Sequence, residues 1–148
     1  MRRYEFDGNF LYYVRLIKKL YEQTLQRVAD DCGLSLPETD VLSFLRENPG
    51  FDTACDIALY REVSRAYVSK AVESLAAKGY LHITKDKADR RYQHLTITEK
   101  AEPLAEKLHH AQFMFYETVT KGLTDTEFNA MLAAIEKCAN NLAEVTAG

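Results

Sequence analysis

Cysteine is scarce in this chain and badly placed for cross-linking. Cys32, Cys55 and Cys138 are odd in number, widely separated and never part of a CxxC pair, so neither a disulfide framework nor a zinc knuckle is expected. Long apolar runs are missing too: no stretch approaches the roughly 20 residues that a membrane-spanning helix requires. The start, MRRYEFDGNF, carries charge, but Arg15, Lys18 and Lys19 interrupt the apolar residues that would have to form a secretory core. The expected compartment is therefore the cytoplasm, with no membrane partner. Catalytic signatures are also lacking. There is no nucleophile motif, no phosphate-cradling glycine loop and no carboxylate pair at a recognisable spacing, so neither an enzyme nor a cofactor is expected. His109 and His110 would point about 100° apart on a helix, a poor arrangement for chelating one metal ion. No repeat, low-complexity segment or linker interrupts the 148 residues, which suits one domain, 1–148, with a real core.

What is present is an uneven distribution of charge. The chain nets −3, yet Arg61 to Arg91 holds eight basic residues (61, 65, 70, 78, 85, 87, 90 and 91) against four acids (62, 73, 86 and 89). An acidic molecule with one basic segment is what local contact with a polyanion needs.

Apolar residues keep helical spacing from Phe10 to Cys32, closed by Gly33. Ser35-Leu-Pro-Glu38 reads as a capping box opening a second helix, which Asn48-Pro49-Gly50 stops. Thr53 is expected to cap a short third helix to Tyr60. After a break at 61–63, Ser64 caps a fourth helix to Lys78, with Val63 and Val68 at the positions of a hydrophobic staple. Two helices so joined are a helix-turn-helix candidate. Tyr80–Thr84 and Tyr92–Ile97 read as strands around the charged stretch KDKADRR. Thr98 is the expected cap of a fifth helix reaching about Lys121, and Thr124-Asp-Thr-Glu127 is a capping box for a sixth. The predicted fold is mainly α: a winged helix-turn-helix with N- and C-terminal helices (1–34 and 99–148) forming a dimerisation region around a DNA-binding lobe (35–98). The terminal helices are too apolar for one small domain to cover, and a symmetric homodimer would cover them.

A helix fits the major groove of B-DNA and reads base edges with its N-terminal residues. Ser64, Arg65, Tyr67, Ser69 and Lys70 are the expected DNA-facing residues, with Val68, Ala71, Val72 and Leu75 buried. Arginine and lysine match guanine edges, and a serine hydroxyl or helix-start amide suits phosphate. A wing beside that helix can reach the minor groove, whose potential favours arginine; Asp89, two residues before Arg91, can shape that side chain. The alternative is a winged-helix protein-interaction module that reads no DNA.

The stretch SRAYVSKAVESLAAKGYL (64–81), followed by Asp86-Lys-Ala-Asp-Arg-Arg91 and Leu95-Thr-Ile-Thr98, resembles the recognition helix, wing and following strand of MarR-type (multiple-antibiotic-resistance) transcriptional regulators. Gly33-Leu-Ser-Leu-Pro-Glu and Asn48-Pro-Gly are similar to that family's helix boundaries. The resemblance implies a homodimer presenting two winged helices to a pseudo-palindromic operator in double-stranded DNA, with Arg91 as the minor-groove arginine, Asp89 its positioning partner and Arg90 nearer the phosphates. It also implies a ligand-responsive repressor. Members often have glycine where this chain has Ala101, a departure that touches the turn into the fifth helix.

An effector would have to prefer the non-binding arrangement of the lobes. Tyr12, Tyr13, Tyr21, Phe113 and Tyr116 could line an aromatic pocket for a planar small molecule, or pack as core and interface. Thiol sensing is disfavoured. Cys32 follows two aspartates, Cys55 precedes another, and the tyrosine-flanked N-terminal cysteine of the family's peroxide-sensing branch is absent.

Overall fold

A computed structural model describes residues 9–146; most of the charged start, residues 1–8, and the last two residues of the expected C-terminal helix lie outside the described residues. The chain divides into two compact units, one ending at Phe115 and the other beginning at Tyr116. The order is α1 (Asn9–Cys32), α2 (Leu36–Glu47), α3 (Ala54–Arg61), α4 (Arg65–Ala77), β1 (Leu81–Lys85), β2 (Gln93–Ile97), α5 (Glu102–Val119) and α6 (Asp125–Thr146). No helix among the described residues is long and apolar enough to cross a membrane.

Local chemistry sets most boundaries. Ser35 and Glu38 exchange capping bonds at the start of α2, and Thr53 and Asp56 do the same at α3. The break between α3 and α4 is made by Glu62, the one non-glycine residue with positive φ among the described residues (φ 52°). Its left-handed turn lets Val63 N donate back to Ala58 O at 3.1 Å, a closure that normally favours glycine. The fourth helix ends in the same way with Gly79 (φ +75°): Tyr80 N donates to Leu75 O at 2.9 Å and Gly79 N to Ala76 O at 3.0 Å. This claims Tyr80 for the helix end, so β1 begins one residue later than the sequence pattern suggests. Tyr92 is likewise claimed by the wing turn, its N–H donating to Asp89 O at 3.0 Å.

Helices α2 and α3 both pack on α4, and the antiparallel pair β1–β2 closes the lobe with Leu81 opposite Ile97 and Thr84 opposite His94. One core joins Leu25 and Ala29 of α1, Val41, Leu42 and Phe44 of α2, Ile57 of α3, Val68, Val72 and Leu75 of α4, Leu81, Leu95 and Leu108. Val63 packs against that core beside buried Val68, as the staple requires. Thr98 is a correction. It does not cap the fifth helix, because the helix starts four residues later at Glu102; its hydroxyl instead donates to Gly79 O at 2.7 Å. Ala101, at the family's usual glycine position, is wholly buried in the core. In the second unit, Thr124 and Glu127 form the expected capping box of α6.

Candidate nucleic-acid interface

Ser64 sits at the N-cap of α4, where its Oγ accepts from Tyr67 N at 3.1 Å; the hydroxyl is thus engaged at the helix start. Arg65, Ser69 and Lys70 are exposed, while Val68, Ala71, Val72 and Leu75 are buried. The helix therefore presents the polar face expected of it, with one difference. Tyr67 is half-buried against the core, and its hydroxyl donates to Asp40 Oδ2 of α2 at 2.9 Å. Burial, reinforced by that carboxylate, pushes the Tyr67 phenol up to about 12, and burial raises the Asp40 carboxyl.

The other end of α4 is tied to α2 through Glu38. That side chain is almost fully buried, accepts from Ser35 N at 2.7 Å and from Ser74 Oγ, and pairs with Lys78 Nζ at 2.9 Å. Burial would raise its carboxyl, but the bonds from Ser74, Lys78 and Ser35 outweigh it and hold the group below the usual glutamate value. Two carboxylates of α2, Glu38 and Asp40, thus fix the orientation of the expected recognition helix. Only the capping role of Glu38 was legible in the sequence.

In the wing, Asp89 accepts from Arg91 three ways: from the backbone N at 3.0 Å, from Nε at 3.0 Å and from Nη2 at 2.7 Å. The guanidinium stays 87% exposed. Arg91 holds the Asp89 carboxyl below its ordinary range, and Asp89 raises the arginine in turn. Asp86 folds the turn itself: its Oδ1 accepts from Ala88 N and Asp89 N, both at 2.8 Å. Its carboxyl falls to about 2, chiefly because of the Asp89 amide and then His94.

His94 is the residue that sequence reasoning passed over. Its Nδ1 lies 2.8 Å from Asp52 Oδ1 and its Nε2 2.9 Å from Asp86 Oδ2; Asp52, and then Asp86, raise its pKa. The nearby Asp86 was a visible signal. Asp52 was not, because it lies 42 positions away and only the packing of β2 against the loop after α2 brings it in.

Of the eight basic residues in 61–91, two are spent on structure. Arg61 pairs with Glu47 and stacks over Phe44, and Lys78 pairs with Glu38. Arg65, Lys70, Lys85, Lys87 and Arg90 are exposed and have no ion pair among the described residues. The aromatic set for an effector lies in differing surroundings. Tyr12, Tyr13 and Phe113 are more than half exposed. Tyr21 instead accepts from Gln112 Nε2 at 2.7 Å and meets Phe115 edge-on. Tyr116 is an exposed residue of the second unit. A cleft of about 480 Å³ lies between α1 and α5, lined by Val28, Asp31, Cys32, Glu106, Lys107 and His110, none of them in that set.

The segment that builds this geometry has known relatives. The sequence profile of the MarR family matches residues 33–91, the span from the end of α1 to Arg91. Over that span the chain is similar to the MarR family. Over 59 residues it is 41% identical to the transcriptional regulator AdcR of Streptococcus pyogenes, a match covering 39% of this chain and 40% of that protein. The fold recurs in solved structures. A MarR-family regulator from Silicibacter pomeroyi superposes with a TM-score of 0.78 at 21% identity, covering 90% of each chain. Bordetella bronchiseptica BpsR, whose DNA binding is regulated by 6-hydroxynicotinic acid, does so with 0.69 at 23% identity, covering 89% of this chain and 99% of that one. The mainly α winged helix-turn-helix expected from the sequence is therefore the fold observed.

Proposed function

We propose that the protein is a transcriptional regulator of the MarR type, a homodimer that binds a pseudo-palindromic operator in double-stranded DNA and represses until a small molecule releases it. The observation that carries this reading is the Arg91–Asp89 arrangement: a fully presented guanidinium, pre-shaped by a carboxylate, at the tip of a wing beside a capped helix. In the proposal, Arg65, Ser69 and Lys70 read or line the major groove, the Ser64 end of α4 faces phosphate, Arg91 enters the minor groove and Arg90 lies near the backbone. Tyr67 supports the helix from behind. The working compartment is the cytoplasm, where the DNA is.

Dimerisation is supported by apolar side chains that the chain leaves exposed, including Leu11, Tyr12, Tyr13, Val14 and Ile17 of α1 and Leu132 and Ile135 of α6. Exposed apolar faces of that kind on each unit favour a partner, and a second copy is the commonest one. In the proposal a planar effector meets the exposed rings of Tyr12, Tyr13 and Phe113. DNA binding by BpsR under control of a nicotinic acid derivative makes ligand response a reasonable part of the proposal.

The test is fluorescence anisotropy of wild type and Arg91→Ala on the DNA upstream of the protein's own gene, titrated with salt. Tight binding that falls steeply with salt, and on the order of tenfold weaker in the variant, is expected. No binding by either protein, there or in a random-sequence selection, would overturn the proposal in favour of a protein-interaction module.

A further inference from the structure

Three titratable side chains meet at the base of the wing, and none of the proposed DNA contacts uses them. Both ring nitrogens of His94 lie within hydrogen-bonding distance of a carboxylate, Asp52 on one side at 2.8 Å and Asp86 on the other at 2.9 Å. An ionised carboxylate only accepts, and a neutral imidazole has a single N–H. A neutral ring could serve one partner and would turn a lone pair on the other. Only the imidazolium donates to both, so this geometry selects the protonated ring.

Each partner is committed further. Asp86 receives the amides of Ala88 and Asp89, and Asp89 holds Arg91. Asp52 anchors β2 through its carbonyl, which accepts from Leu95 N at 2.8 Å. A continuous chain of contacts therefore runs from the loop ahead of α3, through His94, to the turn that carries the wing arginine.

The remaining charges around the ring do not supply a competing counterion. Arg46 and Glu102, which line the cleft next to Asp52, pair with each other. Asp56 of α3 is occupied by Thr53. Asp89 is neutralised by Arg91, and Lys85 lies in register with Gln93. Among the described residues, the charges that act on His94 are those of Asp52 and Asp86.

We infer that His94 is a positioning residue and a proton-operated latch: its imidazolium ties Asp52 to Asp86 and thereby fixes the wing turn that presents Arg91. The consequence for DNA rests on the proposed function, whereas the latch is a property of the free protein. Since Asp52 and Asp86 raise the folded-state pKa of His94 above its ordinary 6.5, the latch is closed below that value. It opens as pH rises through the raised one.

The test uses the full chain without DNA. The ring nitrogens of His94 and the backbone amides of Ala88, Asp89 and Arg91 are followed by NMR from mildly acidic to mildly alkaline pH. All are expected to titrate together, with a midpoint above 6.5. In Asp52→Asn the new amide can donate to an unprotonated Nδ1 while Nε2–H still serves Asp86, so the wing amides should keep their low-pH positions throughout. In His94→Gln they should not titrate at all. On DNA, wild-type affinity should fall by about tenfold per pH unit above the midpoint, the limit for one linked proton, and Asp52→Asn should flatten the profile. Wing amides that stay still while His94 titrates, or that titrate equally in Asp52→Asn and His94→Gln, would overturn the latch even if DNA binds well. Coupled titration with no DNA binding at any pH would support the latch and defeat the proposed function instead.

Discussion

Arg91 is held by the residue two positions before it, with its backbone amide and its guanidinium both donating to the Asp89 carboxylate. The pair costs Arg91 little of its exposure, so Asp89 orders the side chain without taking it from solvent. Two residues in one contact do not act independently. Asp89→Asn is expected to weaken DNA binding several-fold, less than Arg91→Ala does, and the double variant should bind no worse than Arg91→Ala. Anisotropy on the three variants and wild type completes the cycle; additive losses would show that Asp89 acts on DNA by another route.

Tyr67 and Lys70 separate support from contact on the same helix. Tyr67→Phe removes the donor to half-buried Asp40 and is expected to cost about 1 kcal/mol of stability, read as a lower urea midpoint. Its DNA salt dependence should match wild type. Lys70→Ala should leave the urea midpoint within about 0.5 kcal/mol and reduce the salt slope by about 1 if the ammonium meets phosphate. The reverse pattern would exchange the two roles.

Glu38 is the most buried charge of the lobe. Glu38→Ala removes the partner of Lys78, the acceptor for Ser74 and half of the α2 capping box. An expected loss of about 2–3 kcal/mol places it at the lower end for a broken buried pair, since Lys78 can still reach water. Its depressed folded-state pKa also sets a sign. The stabilisation is complete above the unfolded value near 4.5 and disappears as pH falls through the lower folded value. Urea midpoints at neutral and acidic pH should therefore converge between wild type and Glu38→Gln as the medium becomes acid.

The left-handed helix ends at Gly79 and Glu62 should respond in opposite directions. Gly79→Ala forces a Cβ into a φ of +75° and is expected to destabilise by about 1 kcal/mol. Glu62→Gly relieves the same conformation at the α3–α4 break, and should be neutral or stabilising by up to about 1 kcal/mol. Thermal melts of the two variants give the comparison directly.

Much of this protein follows from short-range patterns. Helical spacing, the Ser35–Glu38 and Thr124–Glu127 boxes, the Ser64 cap and the strand alternation around KDKADRR placed all eight elements, because each depends on residues within one or two turns of each other. The Asp89–Arg91 pair was legible for the same reason. Tertiary structure decided whatever required partners far apart in sequence. It took the Thr98 hydroxyl from the fifth helix and gave it to Gly79 O, turned Tyr67 back onto Asp40, and spent Lys78 on Glu38. It also brought Asp52 to His94. Local propensity cannot register such choices, because burying a polar group costs free energy until a specific partner satisfies it, and only the packed lobe determines which partner is within reach.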